Sequence, residues 1–354
     1  MSSIVFNGSY ITNKNTGIGV VSRDLLNSLS AENITSLVPK DIGINGDIYI
    51  PNNLSPGQGL KNHFRRFYWL QKVVPTIMNK LNAEYFFSPL LEAPLFTNVK
   101  SIVLAHDLIP LRYPSVSFLT LYHLTYVPLI LKQSKIILCN SISTANDLNN
   151  LYKVPRHKLF PIKLGFNNKM YYPIHKIRKK FFLIIGRHNP HKNLERIIKA
   201  FSIAKINDYK LVFVGSFDMR YTPSLIKIID KMNISHLCVW KGWINDDEKL
   251  LLLNECQALI IASLWEGFGL PALEAMACGT PVIASERGSL PEVLSDYGYF
   301  VNPFEIQSIA SAMNAVINDK NCFDNALGEG PRRAASFSWF NTAREIESII
   351  KKLD

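Results

Sequence analysis

Residues 263–285 read SLWEGFGLPALEAMACGTPVIAS. Two carboxylates, Glu266 and Glu274, stand eight positions apart around Gly267, Gly269 and Pro271. Glu266 follows the apolar run ALIIA, so it falls in a loop at a strand's end, where a carboxylate can accept hydrogen bonds from hydroxyl groups. Gly267 and Gly269 let the loop turn sharply and let a ligand approach the backbone. Pro271 suits the first helical position, because its φ is preset and its missing N–H is not needed there. Glu274 is then expected in the first helical turn, where its charge complements the helix dipole, an effect that could account for it without a ligand.

Other strand ends carry further candidates. After FFLII comes GRHNPHKNLERIIKAF, in which Arg187 and Lys192 flank a bend and a helix starts near Asn193. A guanidinium fork and an ammonium point charge converging on a helix start suit a diphosphate, and a solvated basic turn is the alternative. After SIVFNG, Gly17 and Gly19 end a loop and open an amphipathic helix. Such a loop can bring N–H groups to a phosphate, or simply turn. The dinucleotide fingerprint G-x-G-x-x-G fails, since Ser22 occupies its third glycine. After SIVLA come His106 and Asp107. There the imidazole could bond a substrate hydroxyl or be satisfied locally. No D-x-D pair follows a strand to hold Mg²⁺. NDDEK at 245–249 reads instead as a helix start with Asn245 as N-cap, so no metal and no cofactor are expected. Two carboxylates around loop N–H groups, with cations nearby, suit a ligand that is both hydroxyl-rich and anionic, as a nucleotide-sugar is.

The elements that must position these groups alternate along the chain. Short apolar strand candidates, among them SIVFNG, ITSLVP, SIVLAHD, KIILCNS, FFLIIGR, KLVFVGS, LCVWKGW, ALIIAS, PVIAS and YGYFVNP, are separated by segments of helical period. These helical segments are 19–30, 66–81, 117–133, 142–152, 193–205, 222–233, 246–254, 271–278, 289–295 and 305–317. The alternation predicts parallel α/β sheets covered on both faces. A polar, aromatic and basic break near 165–180 separates two such series and predicts two doubly wound domains. In such sheets ligands bind beyond the carboxyl ends of the strands, where every candidate above lies.

A chain of 354 residues with 47% hydrophobic residues is long enough for one or two domains with ample cores. Its longest apolar runs, such as LTYVPLILK, fall short of the ~18 residues that a membrane-spanning helix needs. MSSIVFNGSYIT has neither a basic leader nor an apolar block, so no signal peptide is expected. Five scattered cysteines, none in CxxC spacing, predict neither disulfides nor a zinc site and fit a reducing, cytoplasmic setting. The net charge of +11 is uneven. Residues 1–180 hold 21 Lys/Arg and 8 Asp/Glu, net +13, and residues 181–354 hold 18 and 20, net −2. A basic half suits an anionic partner: nucleic acid, a membrane surface or a phosphorylated substrate. In KNHFRRFYWLQKVVPTIMNKL, residues 61–81, the cations Lys61, Arg65, Arg66, Lys72 and Lys80 interleave with aromatics. That mixture suits a membrane interface, or an ordinary helix that Pro75 breaks or kinks.

Taken in order, these motifs resemble those of the retaining glycosyltransferases of family 4. EGFGLPALE resembles their E-x7-E signature, TGIG their N-terminal glycine loop, and HDLIPLRYP their His-Asp segment, especially in mannosyltransferase-like members. GRHNPHKN is similar to their G-x-x-x-P-x-K-N element, CGTPVIASERGSLPEVL to the segment after the signature, and FSWFNTA to the start of the last helix. The resemblance implies the GT-B fold, two doubly wound Rossmann-like domains facing a central cleft. It implies an acceptor-binding domain at 1–168, a linker at 169–180, a nucleotide-sugar-binding domain at 181–336, and a C-terminal helix at 337–354 packing back toward the first domain. Glu266 would contact donor-sugar hydroxyls, with Gly267 and the backbone of Phe268, Gly269 and Leu270 near the sugar or phosphate. Glu274 would hold the ribose. Arg187 and Lys192 would neutralise the leaving diphosphate, Gly17 and Gly19 would close over it, His106 would lie beside the reacting carbon, and the base would sit near Trp243.

The implied activity is hexosyl transfer with retention and without metal, onto a saccharide or lipid-linked saccharide in surface polysaccharide assembly, including lipopolysaccharide. GDP-mannose is the first choice of donor, with UDP- and dTDP-sugars open. The expected location is cytoplasmic, with a peripheral hold on an anionic membrane through the basic half and no nucleic-acid partner. Three rivals remain: a dinucleotide-dependent oxidoreductase, a non-catalytic basic protein that binds nucleic acid or membrane, and a glycosyltransferase-like scaffold without activity. The missing third glycine speaks against the first. The ordered motif series speaks against the second, and Glu266, Glu274, Lys192 and His106 together speak against the third.

Overall fold

The computed structural model describes residues 3–12, 17–30, 33–40, 42–43, 46–54, 60–174 and 177–352. Its contacts divide the chain into two units, Met1–Gly165 with Ser338–Asp354, and Phe166–Phe337.

The first unit is built on strands β1 (Ile4–Asn7), β2 (Ile34–Pro39), β3 (Ile48–Ile50), β4 (Tyr85–Ser88), β5 (Lys100–Ala105), β6 (Ile136–Cys139) and β7 (Leu159–Pro161). They lie in the order β3-β2-β1-β4-β5-β6-β7, every described pair parallel. The second carries β8 (Phe181–Ile185), β9 (Lys210–Val214), β10 (Cys238–Trp240), β11 (Ala258–Ile261), β12 (Val282–Ser285) and β13 (Gly298–Val301). Their order is β10-β9-β8-β11-β12-β13, again all parallel. Val5, Phe86, Val103 and Ile137 in the first sheet, and Phe182, Leu211, Ile260 and Ile283 in the second, are wholly buried. Strands that bury both faces read as unbroken apolar runs, which is why the sequence marks them so clearly. Each sheet reverses its strand order once, between β1 and β4 and between β8 and β11. These switch points open the crevices where ligands of such sheets bind.

The structure departs from the sequence reading in four places. The helical stretch from Leu60 to Leu81 is not broken at Pro75. A π turn, Trp69–Val73, lies between the α-helices Leu60–Tyr68 and Val74–Leu81, and its wide ring precedes the proline that has no N–H to give. The helix Cys322–Ala334 is not among the helical segments the sequence predicts, and its two glycines and Pro331 count against a helix locally. It packs on the helix Leu270–Ala277. The segment read as a linker is bonded to the second unit. Arg178 donates to the carbonyls of Leu253, Cys256 and Gly279 and to Thr280 Oγ1, and Ile174 N–H donates to Asn254 Oδ1. Residues 175–176 lie outside the described residues. The charge division consequently softens. Counted by unit, the first holds 19 Lys/Arg and 11 Asp/Glu, net +8, and the second 20 and 17, net +3.

The helix Trp339–Lys351 completes the first unit. Thr342 Oγ1 donates to the Lys163 carbonyl at 2.6 Å, and Glu347 Oε1 accepts from Ser30 N–H at 2.9 Å.

Candidate active site

The crevice of the second unit is made by two loops that hold each other. After β8, Asn189 leads into a short 3-10 turn, Pro190–Lys192, and Asn193 adopts a left-handed conformation at φ 60°. The Asn193 amide nitrogen reaches across to the carbonyls of Ala262 and Pro303 at 2.9 and 2.7 Å, and the His191 carbonyl accepts from Leu264 N–H at 2.7 Å. The loop after β8 is thereby fixed to the loop after β11, and Lys192 meets Glu266. Lys192 Nζ lies 2.6 Å from Glu266 Oε1, and Ser263 Oγ donates to the same oxygen at 2.6 Å.

Glu266 is buried, and burial works to raise its pKa. The Lys192 charge and hydrogen bond, with the bond from Ser263, outweigh it, so the pKa lies below the ordinary carboxylate value. Its backbone is clamped from a third loop. The Glu266 carbonyl accepts from Ser289 N–H and Ser289 Oγ, both at 3.2 Å. A Cβ on Gly288 would lie 2.4 Å from that carbonyl oxygen, so only glycine lets the two loops approach. Gly269 takes φ 93° at the N-cap of the helix Leu270–Ala277, a conformation that favours glycine.

Glu274 is not in the first turn of this helix. The helix starts at Leu270, so Pro271 is its second residue and Glu274 falls in the second turn, away from the dipole's reach. It is buried there and paired with Lys249 Nζ at 2.5 Å. Burial raises its pKa and the Lys249 charge opposes that rise without cancelling it. Lys249 also lies 4.9 Å over the Tyr171 ring. Sequence reasoning missed Lys249, since a lysine in the helix Asp246–Glu255, beside Asp246, Asp247 and Glu248, carries no signal of a buried acidic partner two elements away. Asn245 does cap that helix, its side chain accepting from Glu248 N–H at 2.8 Å.

The remaining candidates are more scattered. Arg187 is exposed beside the Lys192 loop, and Trp243 is 67% exposed just past β10. In the first unit, Gly17 and Gly19 occupy the first turn of the helix Gly17–Ser28, and the loop residues 13–16 before them lie outside the described residues. His106 follows β5 and bonds the Pro89 carbonyl through Nε2 at 2.8 Å. In the neutral ring Nε2 is then the donor, which leaves Nδ1 as an acceptor. Burial lowers the pKa of His106 and the Pro89 bond opposes this. Asp107 Oδ1 accepts from Ile109 N–H at 3.0 Å and shapes the turn after it.

Lys192, Ser263 and Glu266 thus stand together at the switch point between β8 and β11, with the N-terminus of the Leu270 helix beside them. Residues 173–333, most of the second unit, match the family described as glycosyl transferases group 1. Over 179 residues the chain is 31% identical to the serotype-specific mannosyltransferase WbdA of Escherichia coli, a match covering 49% of this chain and 22% of that protein. It is 26% identical over 238 residues to O-antigen chain mannosyltransferase B of Escherichia coli, covering 63% of this chain and 62% of that protein. The chain therefore spans less than two thirds of the length of these relatives. Among solved structures, sucrose-phosphate synthase from Thermosynechococcus elongatus superposes with a TM-score of 0.79 at 19% identity over 100% of this chain and 99% of that one. The fold is that of the GT-B glycosyltransferases, two parallel α/β units, as the motif series implied.

Proposed function

We propose that this protein is a retaining glycosyltransferase that moves a hexose from a nucleotide-sugar to a saccharide or lipid-linked saccharide, in the cytoplasm and in the assembly of a surface polysaccharide. The observation that carries this reading is the Lys192–Glu266 contact at the switch point of the second sheet. A carboxylate for sugar hydroxyls and a cation for phosphate, one hydrogen bond apart, match a sugar joined directly to a diphosphate. As the bond between the anomeric carbon and the phosphate oxygen breaks, negative charge grows on the diphosphate. Lys192, Arg187 and the N-terminus of the Leu270 helix would stabilise it. No second carboxylate is assigned as a nucleophile, so attack from the face the diphosphate leaves is the working mechanism. The mannosyltransferase names of the relatives favour GDP-mannose as donor. Glu274 would read the ribose and the Trp243 loop the base.

Incubation with GDP-mannose, UDP-sugars and dTDP-sugars in excess EDTA tests donor, class and metal independence together. Release of nucleotide from one donor, undiminished by EDTA, is expected. No release from any donor would overturn the reading, and loss in EDTA with rescue by Mg²⁺ would overturn metal independence. Variants divide the roles. Glu266→Ala is expected to lower turnover with little change in affinity for the bare nucleoside diphosphate, and Glu274→Ala to weaken that affinity. Calorimetry separates the two, and equal losses would contradict the division.

The membrane part of the proposal rests on the first unit. No described helix is long and apolar enough to cross a membrane. Arg66, counted among the membrane-facing cations from sequence, is buried and has no such role. Lys61, Arg65 and Lys72 are exposed, as are Phe64, Phe67 and Tyr68 beside them. Phe64 lies 6.2 Å from Phe118 of the helix Phe118–Gln133, whose Leu119, Leu121, Leu124 and Leu129 are exposed too. A helix apolar on all sides is normally buried, and large exposed apolar patches mark interaction surfaces. Each exposed cation near an anionic surface contributes about 1 kcal/mol. Sedimentation with anionic vesicles at low salt is expected, with release at high salt and weak binding to neutral vesicles. Failure to bind at low salt would point to an acceptor free in solution.

A further inference from the structure

The carboxyl edge of the second sheet holds a buried donor that the donor-site reading above does not use. His188 follows β8 two residues after Gly186 and is 4% exposed. Its Nδ1 lies 2.8 Å from Thr222 Oγ1, and Thr222 Oγ1 also accepts from Asp218 N–H at 2.9 Å. With one lone pair of Oγ1 taken by Asp218 N–H, the hydroxyl can give its own proton to Nδ1, and the neutral imidazole that receives it carries its ring proton on Nε2. Burial lowers the pKa of His188, with Asp218 opposing, and so favours that neutral ring. Nε2 is buried and has no hydrogen-bond partner. Buried donors are almost always paired, and one left unpaired calls for an explanation. The ring is held on its other side by Trp240, at 5.1 Å and 63°, which in turn stacks on Phe213 at 4.2 Å.

The position of this nitrogen gives the explanation. A Cβ at residue 215 would lie 3.6 Å from Nε2 but only 2.0 Å from the Gly186 carbonyl oxygen, so Gly215, just past β9, lets the ends of β8 and β9 come together beside the ring. Gly215 N–H donates to the Gly242 carbonyl at 2.8 Å, so the spot adjoins the loop carrying Trp243. On the other side, Gly186 adjoins Lys192, whose Cε would lie 3.5 Å from a Cβ there. His188 therefore stands between the lysine assigned to the diphosphate and the loop assigned to the base.

We propose that His188 Nε2–H is a fixed, uncharged hydrogen-bond donor to an oxygen of the bound nucleotide, either a base carbonyl or a phosphate oxygen. The inference rests on the nucleotide-sugar reading, and the test keeps the two apart. Binding of GDP, UDP, dTDP and inorganic pyrophosphate is measured by calorimetry for the wild type, His188→Phe and His188→Gln, alongside their melting temperatures. The wild type is expected to bind at least one nucleoside diphosphate. His188→Phe should bind it about 10- to 100-fold more weakly, as loss of one buried donor to a ligand oxygen implies. His188→Gln, which keeps an N–H near the Nε2 position, should retain most of the affinity. A loss that extends to pyrophosphate puts the contact on phosphate, and a loss confined to nucleotides puts it on the base; both support the proposal. A wild type that binds no nucleotide overturns the donor reading and this inference with it. Wild-type affinity in His188→Phe, or an equal loss in a His188→Gln that melts like the wild type, overturns the inference alone.

Discussion

Lys192→Ala is expected to lower kcat/KM by about 10²-fold or more, because a fixed cation facing charge that develops on a leaving group contributes several kcal/mol. From sequence alone the lysine sits at a loop end and supports no core, so folding would be untouched. The structure changes that expectation. Lys192 is the ion-pair partner of Glu266, whose side chain is 10% exposed. Removing one member of a buried pair leaves an uncompensated charge and costs about 3 kcal/mol or more. The sign with pH follows. In the wild type the folded pKa of Glu266 lies below its unfolded value, so its contribution is present above the unfolded pKa and lost as pH falls through the folded one. Without Lys192 burial dominates, the folded pKa of Glu266 rises above the unfolded value, and the variant gains stability on acidification. Thermal melts of both proteins between pH 4 and pH 8, beside steady-state kinetics, read both effects. A variant that turns over normally would remove Lys192 from the diphosphate site, and parallel melting curves would show that Glu266 does not depend on it.

Arg66→Met is expected to produce the largest loss of stability in the first unit. Arg66 is 3% exposed, and its guanidinium grips Glu92 through Nε at 2.7 Å and Nη2 at 2.9 Å, with a further bond to the Leu54 carbonyl at 3.1 Å. Glu92 accepts from Tyr10 O–H as well, at 2.9 Å. Tyr10 follows β1 and Glu92 follows β4, so the cluster ties the helix Leu60–Tyr68 to the segments after both strands. Met replaces the stem but strands a buried carboxylate, a loss of about 3–5 kcal/mol. At ~2–4 °C per kcal/mol for a unit of this size, the melting temperature falls by about 10 °C. Arg66→Met with Glu92→Leu should recover much of the loss, because no charge is then left unpaired. A single variant that melts within 2 °C of the wild type would show that the pair contributes little.

Arg66 also marks the limit of what the sequence conveyed. In KNHFRRFYW the two arginines are neighbours of one type, yet Arg65 is exposed and Arg66 is buried. Only the partner at Glu92, 26 residues on, separates them. The sheets were legible because wholly buried parallel strands write themselves as apolar runs. Lys192 and Glu266 were legible because strand ends converge at a switch point. Lys249 and His188 were not, since their meaning lies in contacts made across elements. The helix Cys322–Ala334 was hidden by glycines and a proline that local propensity counts against a helix.

The first unit is discontinuous in the chain: its last segment begins at Ser338, the N-cap of its closing helix, after the whole of the second unit. During synthesis the amino-terminal sheet must therefore wait for Phe166–Phe337 to emerge before it receives its last element. At roughly 5–20 residues per second that delay is on the order of ten to thirty seconds. Through that interval the helix Gly17–Ser28 and the Lys163 carbonyl lack their carboxyl-terminal partners, and at its end the second unit has all of its own chain while the first still does not. Parallel pairing throughout the first sheet, with no hairpin to hold it locally, makes the interval the chain's most exposed moment. The order of completion on the ribosome is thus the reverse of the order of synthesis.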